Sequence, residues 1–259
     1  MKHDGLIIQS IERGIVGLEM AVRGGVRPTE LAERLGVDRS TAYRILYTLV
    51  QNGYLLQDER SNKFVANPAK IFQLSSEVAE SRNWVSIAME RLKDLRDLTQ
   101  HTANLAVKYD SEMVIIAREL AVETPTVLQS LGARRPVHCS ATGKATIAFL
   151  PQMEVERIVR ETGLAPLTSH TITNSDSLMA ELAQVREQGY AIDDEETLLG
   201  VRCIAAPIFD YNSHPLAAIG ISGPISTLTA EDIADLATKI QRIARETSEA
   251  LGARVPKTA

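Results

Sequence analysis

The segment from Asp38 to Gly53 (DRSTAYRILYTLVQNG) constrains this chain more than any other. At 100° per residue, Ala42, Ile45, Leu46 and Leu49 fall on one side of a helix, and Arg39, Ser40, Tyr43, Arg44, Tyr47 and Gln51 on the other. Solvated helix faces are ordinarily rich in Glu and Lys. This polar face carries two arginines and two tyrosines instead. Asp38 is suited to cap the helix and Gly53 to end it.

The flanks give that helix a setting. Leu6, Ile7, Ile11, Ile15, Leu18 and Val22 have helical spacing over 6–22, and Gly24-Gly25 stops the run. Pro28 opens a short second helix with Leu31, Ala32 and Leu35 facing inward, closed by Gly36. After Gly53, residues Tyr54–Gln57 and Lys63–Ala66 flank a turn at 58–62 and predict a β-hairpin. Helix, glycine turn, helix and hairpin is the order of a winged helix-turn-helix. Its outward face suits a DNA major groove. Arg39 and Arg44 are the candidates for paired bonds to guanine, and Gln51 has the chemistry for adenine. Ser40, Thr41, Tyr43 and Tyr47 suit phosphates, and Arg60 and Lys63 lie at the hairpin tip, in reach of the flanking backbone or minor groove. A polar helical surface that binds protein is the competing reading.

The net charge of −5 looks wrong for a partner of nucleic acid. Residues 1–70, however, hold ten basic and eight acidic side chains, a net of +2, against 18 and 25 in the remainder, a net of −7. Position therefore matters more than the total. No stretch has the ~18 apolar residues of a membrane helix, and the N-terminus lacks the pattern of a signal peptide, so a cytoplasmic chain without a membrane partner is expected. Two cysteines among 259 residues give no disulfide framework.

Beyond the hairpin, Pro68 restarts a helix through Ile71, Leu74 and Val78, and another follows over 83–100. Strands are expected at 104–108, 113–117, 126–131, 190–193, 201–209 and 216–222, with helices at 141–149, 153–162, 175–188 and 229–250. The sum is an α+β chain in three parts: a DNA-binding domain over 1–67, a linker helix over 68–82 and a second domain over 83–252.

Four segments carry a resemblance. Leu31–Leu46 (LAERLGVDRSTAYRIL) resembles the DNA-reading part of the IclR family of bacterial transcriptional regulators. Arg135–Ala145 (RPVHCSATGKA), Asp193–Glu196 with Gly200–Asp210 (GVRCIAAPIFD), and Ala218–Pro224 (AIGISGP) are similar to that family's effector-binding domain. The resemblance implies a GAF/profilin-like fold with an antiparallel sheet, and a ligand-responsive regulator of a catabolic operon, repressor or activator according to operator position. It implies partners in double-stranded operator DNA, a small organic or aromatic acid and further copies of the chain, as dimer or tetramer, with no cofactor. It also implies Ala141, Thr142, Asp193, Cys203 and Ser222 as ligand-lining residues. Asn67 departs from the pattern where the family has glycine, and a tolerated left-handed backbone is the expectation there.

The residues support a pocket independently. If Asn212-Ser213 is a two-residue hairpin loop, paired positions sum to 425 and Cys203 stands opposite Ser222. Val201, Cys203 and Ala205 then share a face with Ala218, Gly220 and Ser222, small side chains that leave space. Ile204, Ala206, Ile208, Ala217, Ile219 and Ile221 form the opposite, bulky face. Ser140-Ala141-Thr142-Gly143 leads into a helix whose first N–H groups suit a carboxylate. Val127, Leu128 and Leu131 supply the expected apolar wall. A cysteine enzyme using Cys139 or Cys203 with His138 lacks an evident base and oxyanion set. A metal sensor built from His138, Cys139, Asp193 and Cys203 lacks ligand spacing, so neither a catalytic residue nor a metal ligand is assigned.

Overall fold

The computed structural model describes residues 7–58, 61–81, 83–121 and 130–253. The chain divides into two compact units, Met1–Arg82 and Asn83–Ala259.

In the first unit, α1 (Gln9–Val22), α2 (Pro28–Leu35) and α3 (Arg39–Gln51) precede a hairpin of β1 (Leu55–Asp58) and β2 (Lys63–Ala66), then α4 (Pro68–Ser81). Proline at the first position of α2 forfeits no hydrogen bond, and Gly36 ends that helix in the left-handed conformation. Ala21, Leu31, Ala42, Leu46, Leu55 and Phe64 close into a buried cluster. Val26 exchanges two 2.9 Å backbone hydrogen bonds with Phe64, which ties the glycine turn to the wing. α1 meets this core through small residues. A β-carbon on Gly17 would lie 3.4 Å from Leu31 and 3.5 Å from Leu46. The bulky stripe Ile11, Ile15 and Val22, with Ile7 and Ile8 ahead of the helix, is more than half exposed. α1 is apolar on two sides, and the small side is the one that lets helices approach closely.

Asn67 does not take the left-handed backbone expected of it. Its side-chain carbonyl accepts the Ala69 N–H at 3.2 Å, and its amide donates to the Gly53 carbonyl at 2.9 Å. Asparagine here caps the start of α4 and ties it to the turn that follows α3, which glycine has no side chain to do.

The second unit is a six-stranded antiparallel sheet in the order β5-β4-β3-β8-β7-β6. Its strands are β3 (Thr102–Tyr109), β4 (Glu112–Glu119), β5 (Arg134–Pro136), β6 (Ala191–Asp194), β7 (Val201–Phe209) and β8 (Pro215–Pro224). Ile204, Ile208, Ile219 and Ile221 pack on Leu92 and Leu95 of α5 (Asn83–Thr99) and on Ile240 and Ile243 of α9 (Ile233–Ala250). Each such fully buried side chain contributes ~1.5–3 kcal/mol of transfer free energy. The opposite face receives α6 (Ala141–Ile147) and α8 (Ser175–Gln188), with α7 (Gln152–Thr162) completing that layer's core.

The β7–β8 register is the expected one, with Cys203 opposite Ser222. The turn is not. Asp210 donates its N–H to the His214 carbonyl, which makes a three-residue loop of Tyr211, Asn212 and Ser213, and Ser213 takes φ 62°. That arrangement shortens the pairing sum by one, and an irregularity between Ile208 and Phe209 restores it.

The strand expected over 126–131 is not seen where it is described. Leu131 and Gly132 form a turn, with Gly132 at φ 78°, and the edge strand is the polar Arg134–Pro136. α9 starts at Ile233 rather than 229, because Asp232 accepts the Thr229 hydroxyl at 2.7 Å and holds 229–232 in a turn. The expected frayed tail falls from residue 254 outside the described residues.

Gly220 is the tightest point between the central strands. A β-carbon there would lie 2.3 Å from the Ile204 carbonyl oxygen and 2.7 Å from the Ala205 β-carbon. Gly220→Ala is expected to destabilise the protein by about 1–3 kcal/mol through overpacking, measured by urea denaturation. Gly14→Ala, which meets nothing within 4 Å, is expected to stabilise it by about 0.5–1 kcal/mol.

Candidate functional site

Two groups of residues carry candidate functions, one in each unit. In the first, Asp38 organises the start of α3. Its carboxylate accepts the Thr41 N–H at 2.9 Å, the Ser40 hydroxyl at 2.5 Å and the Thr41 hydroxyl at 2.7 Å. The Ser40 and Thr41 hydrogen bonds hold its carboxyl well below the usual range, so it stays ionised. Each hydroxyl has one proton, and both are already committed to Asp38. Ser40 and Thr41 therefore set the helix start, and donation to a phosphate would require them to leave it.

Past that cap the outward face is free. Arg39, Tyr43, Arg44, Tyr47 and Gln51 are exposed, and neither arginine meets a carboxylate among the described residues. Tyr43 and Tyr47 stack 6.1 Å apart, and the edge of Tyr43 meets Phe64 of the wing at 5.8 Å. The rings stay 42% and 47% exposed, so they stiffen the face without leaving it. A helix with side chains is ~10–12 Å across, close to the ~12 Å width of the major groove. Lys63 is half-buried, with its stem against Gly25. Arg60 lies outside the described residues.

In the second unit, a cavity of about 30 Å³ sits on the small-residue face of the sheet. Ser140, Ala141, Thr142, Asp193, Cys203 and Ser222 all border it, as expected. Val201 does not. It begins β7 opposite Pro224, two pairs beyond the Cys203–Ser222 rung that borders the space. Leu131 does not either, because the Gly132 turn leaves it 64% exposed. Val127 and Leu128 lie outside the described residues. The sequence reading missed Asn104, Met113, Ile115, Arg135 and Thr197, which also border the cavity. Asn104 had a signal, since a polar residue in a run as apolar as Ala103–Val107 needs a partner. It donates to the Ser222 hydroxyl at 3.0 Å.

Asp193 forms an acceptor-rich corner. Its oxygens receive the Glu196 N–H at 2.8 Å, the Thr197 N–H at 3.1 Å and the Thr197 hydroxyl at 2.5 Å. Burial pushes its carboxyl up, and these donors only partly offset that. Behind it Lys144 is buried between Glu181, at 2.8 Å, and Glu196. Burial alone would lower the lysine, but the two carboxylates outweigh it and keep the ammonium charged. Oε2 of Glu196 is buried without a partner among the described residues.

The expected carboxylate seat at α6 is weaker than the sequence suggests. The helix has only seven residues, and its Gly143 N–H already donates to the Ser140 hydroxyl at 3.2 Å. Burial, reinforced by Asp193, pushes the Cys139 thiol up to about 12 and the Cys203 thiol well above its ordinary value. Both are held as thiols at neutral pH, and a nucleophile needs the thiolate. His138 stands 3.2 Å from the Ala165 carbonyl, a structural contact, and burial lowers its pKa. Among the described residues no helix is long and apolar enough to cross a membrane.

Comparison with known proteins places this geometry. A family model described as the IclR helix-turn-helix domain matches residues 20–59, and one described as bacterial transcriptional regulator IclR C-terminal matches 76–249. The transcriptional repressor IclR of Escherichia coli strain K12 is 35% identical over 249 residues, which cover 95% of this chain and 90% of that protein. The acetate operon repressor of Salmonella typhimurium strain LT2 is 33% identical, with the same coverage of each chain. The crystal structure of the Thermotoga maritima IclR aligns with a TM-score of 0.74 at 30% identity, over 94% of this chain and 99% of that one. With both models in this order and relatives aligned over nearly the whole length, the chain belongs to the IclR family: it is a bacterial transcriptional regulator, not an enzyme.

Proposed function

We propose that this regulator is a cytoplasmic repressor of a catabolic operon, released from its operator by a small organic acid held in the sheet cavity. The observation that carries the reading is the outward face of α3, where Arg39, Tyr43, Arg44 and Tyr47 stand exposed behind a capped helix start. Arg39 and Arg44 read base edges, Tyr43 and Tyr47 hold the sugar-phosphate, and Lys63 follows the backbone beside the wing. The cavity suits a short ligand, because its volume is only about 30 Å³. Asp193 accepts a hydroxyl or N–H from it, and Ser140–Thr142, Cys203 and Ser222 close around it. The similarity to a protein named for an acetate operon supports an acid as effector.

The exposed Ile7, Ile8, Ile11 and Ile15 stripe supports pairing of two copies, as dimer or tetramer. The linker helix α4 carries the effector's influence to the first unit; of its expected apolar positions Ile71 and Leu74 are half-buried, and the Val78 side chain lies outside the described residues. Whatever the route, turning a 1:99 population into 99:1 requires the effector to favour one state by ~5.5 kcal/mol.

The Lys144 cluster behind Asp193 makes this wall pH-dependent. Burial pushes Glu196 up to about 7, against an ordinary 4.5, because Lys144 is shared with Glu181 and Asp193 is close. The folded protein therefore binds a proton here more tightly than the unfolded chain. The stability this site adds is fully present below about pH 4.5 and is lost as pH rises through about 7.

Three outcomes follow. In gel-shift titration with its own promoter region, Arg44→Ala weakens binding ~10–100-fold while circular dichroism is unchanged. Ser222→Leu fills the cavity, so operator affinity is retained and the response to effector is lost. The stability advantage of wild type over Glu196→Gln falls by about 3 kcal/mol between pH 4.5 and 8, measured by urea denaturation; an advantage that grows with pH overturns the Glu196 assignment.

A further inference from the structure

We infer that Arg118 and Arg135 form the anion clamp of the effector cavity, so that the ligand is a short carboxylic acid whose carboxylate faces these two guanidinium groups while a hydroxyl or N–H at its other end meets Asp193. This inference rests on the cavity being the effector site.

Strand register puts both arginines on the cavity side. Arg118 of β4 pairs with Asn104 of β3, and Arg135 of β5 pairs with Met113 of β4. Paired residues share a sheet face, and Asn104 and Met113 both border the cavity, as does Arg135 itself. Arg118 is oriented from there, because its Nε donates to the Asn104 side-chain oxygen at 3.1 Å. Its Nη2 is buried and has no hydrogen-bond partner among the described residues. Arg135 directs Nη1 to the neighbouring Arg134 carbonyl at 3.0 Å. Neither guanidinium meets a carboxylate among the described residues.

That is an unusual pair for this chain. The comparably shielded Arg96 and Arg202 each hold an aspartate at 2.7 Å. Arg118 and Arg135 instead act on each other: burial and the Arg135 charge both lower the proton affinity of Arg118. Two like charges and an orphaned buried N–H remain costly until an anion arrives. Guanidinium forks match carboxylate geometry, and desolvation strengthens the bond. Asp193, the carboxylate that borders the cavity, holds the Thr197 hydroxyl and meets neither arginine among the described residues. The space is thus cationic at the β4–β5 side and accepting at the β6 side, which orients a ligand carrying an acid at one end and a donor at the other.

The test uses the full chain and matched acid and amide probes: glycolate and glycolamide, lactate and lactamide, malonate and malonamide. Thermal shift at about 10 mM ranks them, and titration calorimetry gives affinities. The expected result is that at least one acid raises Tm and its amide does not. Arg118→Gln and Arg135→Gln each weaken that acid at least ~tenfold, and neither lowers the Tm of the ligand-free protein, since a repulsion has been removed; an arginine with a purely structural role would lower it. Ser222→Leu abolishes binding of the acid. Acids that bind both arginine variants as they bind wild type, yet fail on Ser222→Leu, overturn the clamp and leave the cavity reading intact. Acids that still bind Ser222→Leu overturn both. Equal binding of acid and amide, or no shift with any acid, overturns the clamp.

Discussion

The pairing of Cys203 with Ser222 across β7 and β8 is the constraint on which the second unit depends. One step of slippage would exchange the faces of two strands at once. Ile204, Ile208, Ile219 and Ile221 would leave α5 and α9 for the opposite layer, and Cys203, Gly220 and Ser222 would enter the core. In the observed register the large residues hold the helices, and the small ones leave a space beside buried polar groups. Gly220 shows how tightly this is held, since its neighbours leave no room for even a methyl group. The cavity is thus a by-product of the same alternation that builds the core.

The first unit solves a different problem with a similar economy. A helix that meets DNA must present long polar side chains and still be fixed in place. Ala42 and Leu46 fix α3 from behind, the Asp38 carboxylate fixes its first turn, and Phe64 of the wing steadies Tyr43. The residues left outward are then largely unpaired, which costs little in water and keeps them available to a polyanion.

Much of this was legible in the residues because it depends on local periodicity. The α3 partition follows from a 100° turn, and the hairpin faces follow from a period of two. The reading failed where tertiary contacts decided. Leu131 looked like part of an apolar strand, but the Gly132 turn exposes it. The turn at Tyr211–Ser213 has three residues, and only a compensating irregularity preserved the register. At Asn67 the side chain rather than the backbone decides, by bonding the Gly53 carbonyl and the Ala69 N–H. Arg118 and Asn104 are 14 positions apart in sequence and meet only because β3 and β4 are neighbours. No helical or strand pattern in one chain announces such a pair.

The most direct test of the account is the affinity of the full chain for its own promoter region against scrambled DNA of equal length, measured over a range of salt. The account predicts a preference of at least ~10³ for the promoter and an affinity that falls steeply with salt for both. Equal affinity for the two, at any salt, would contradict it.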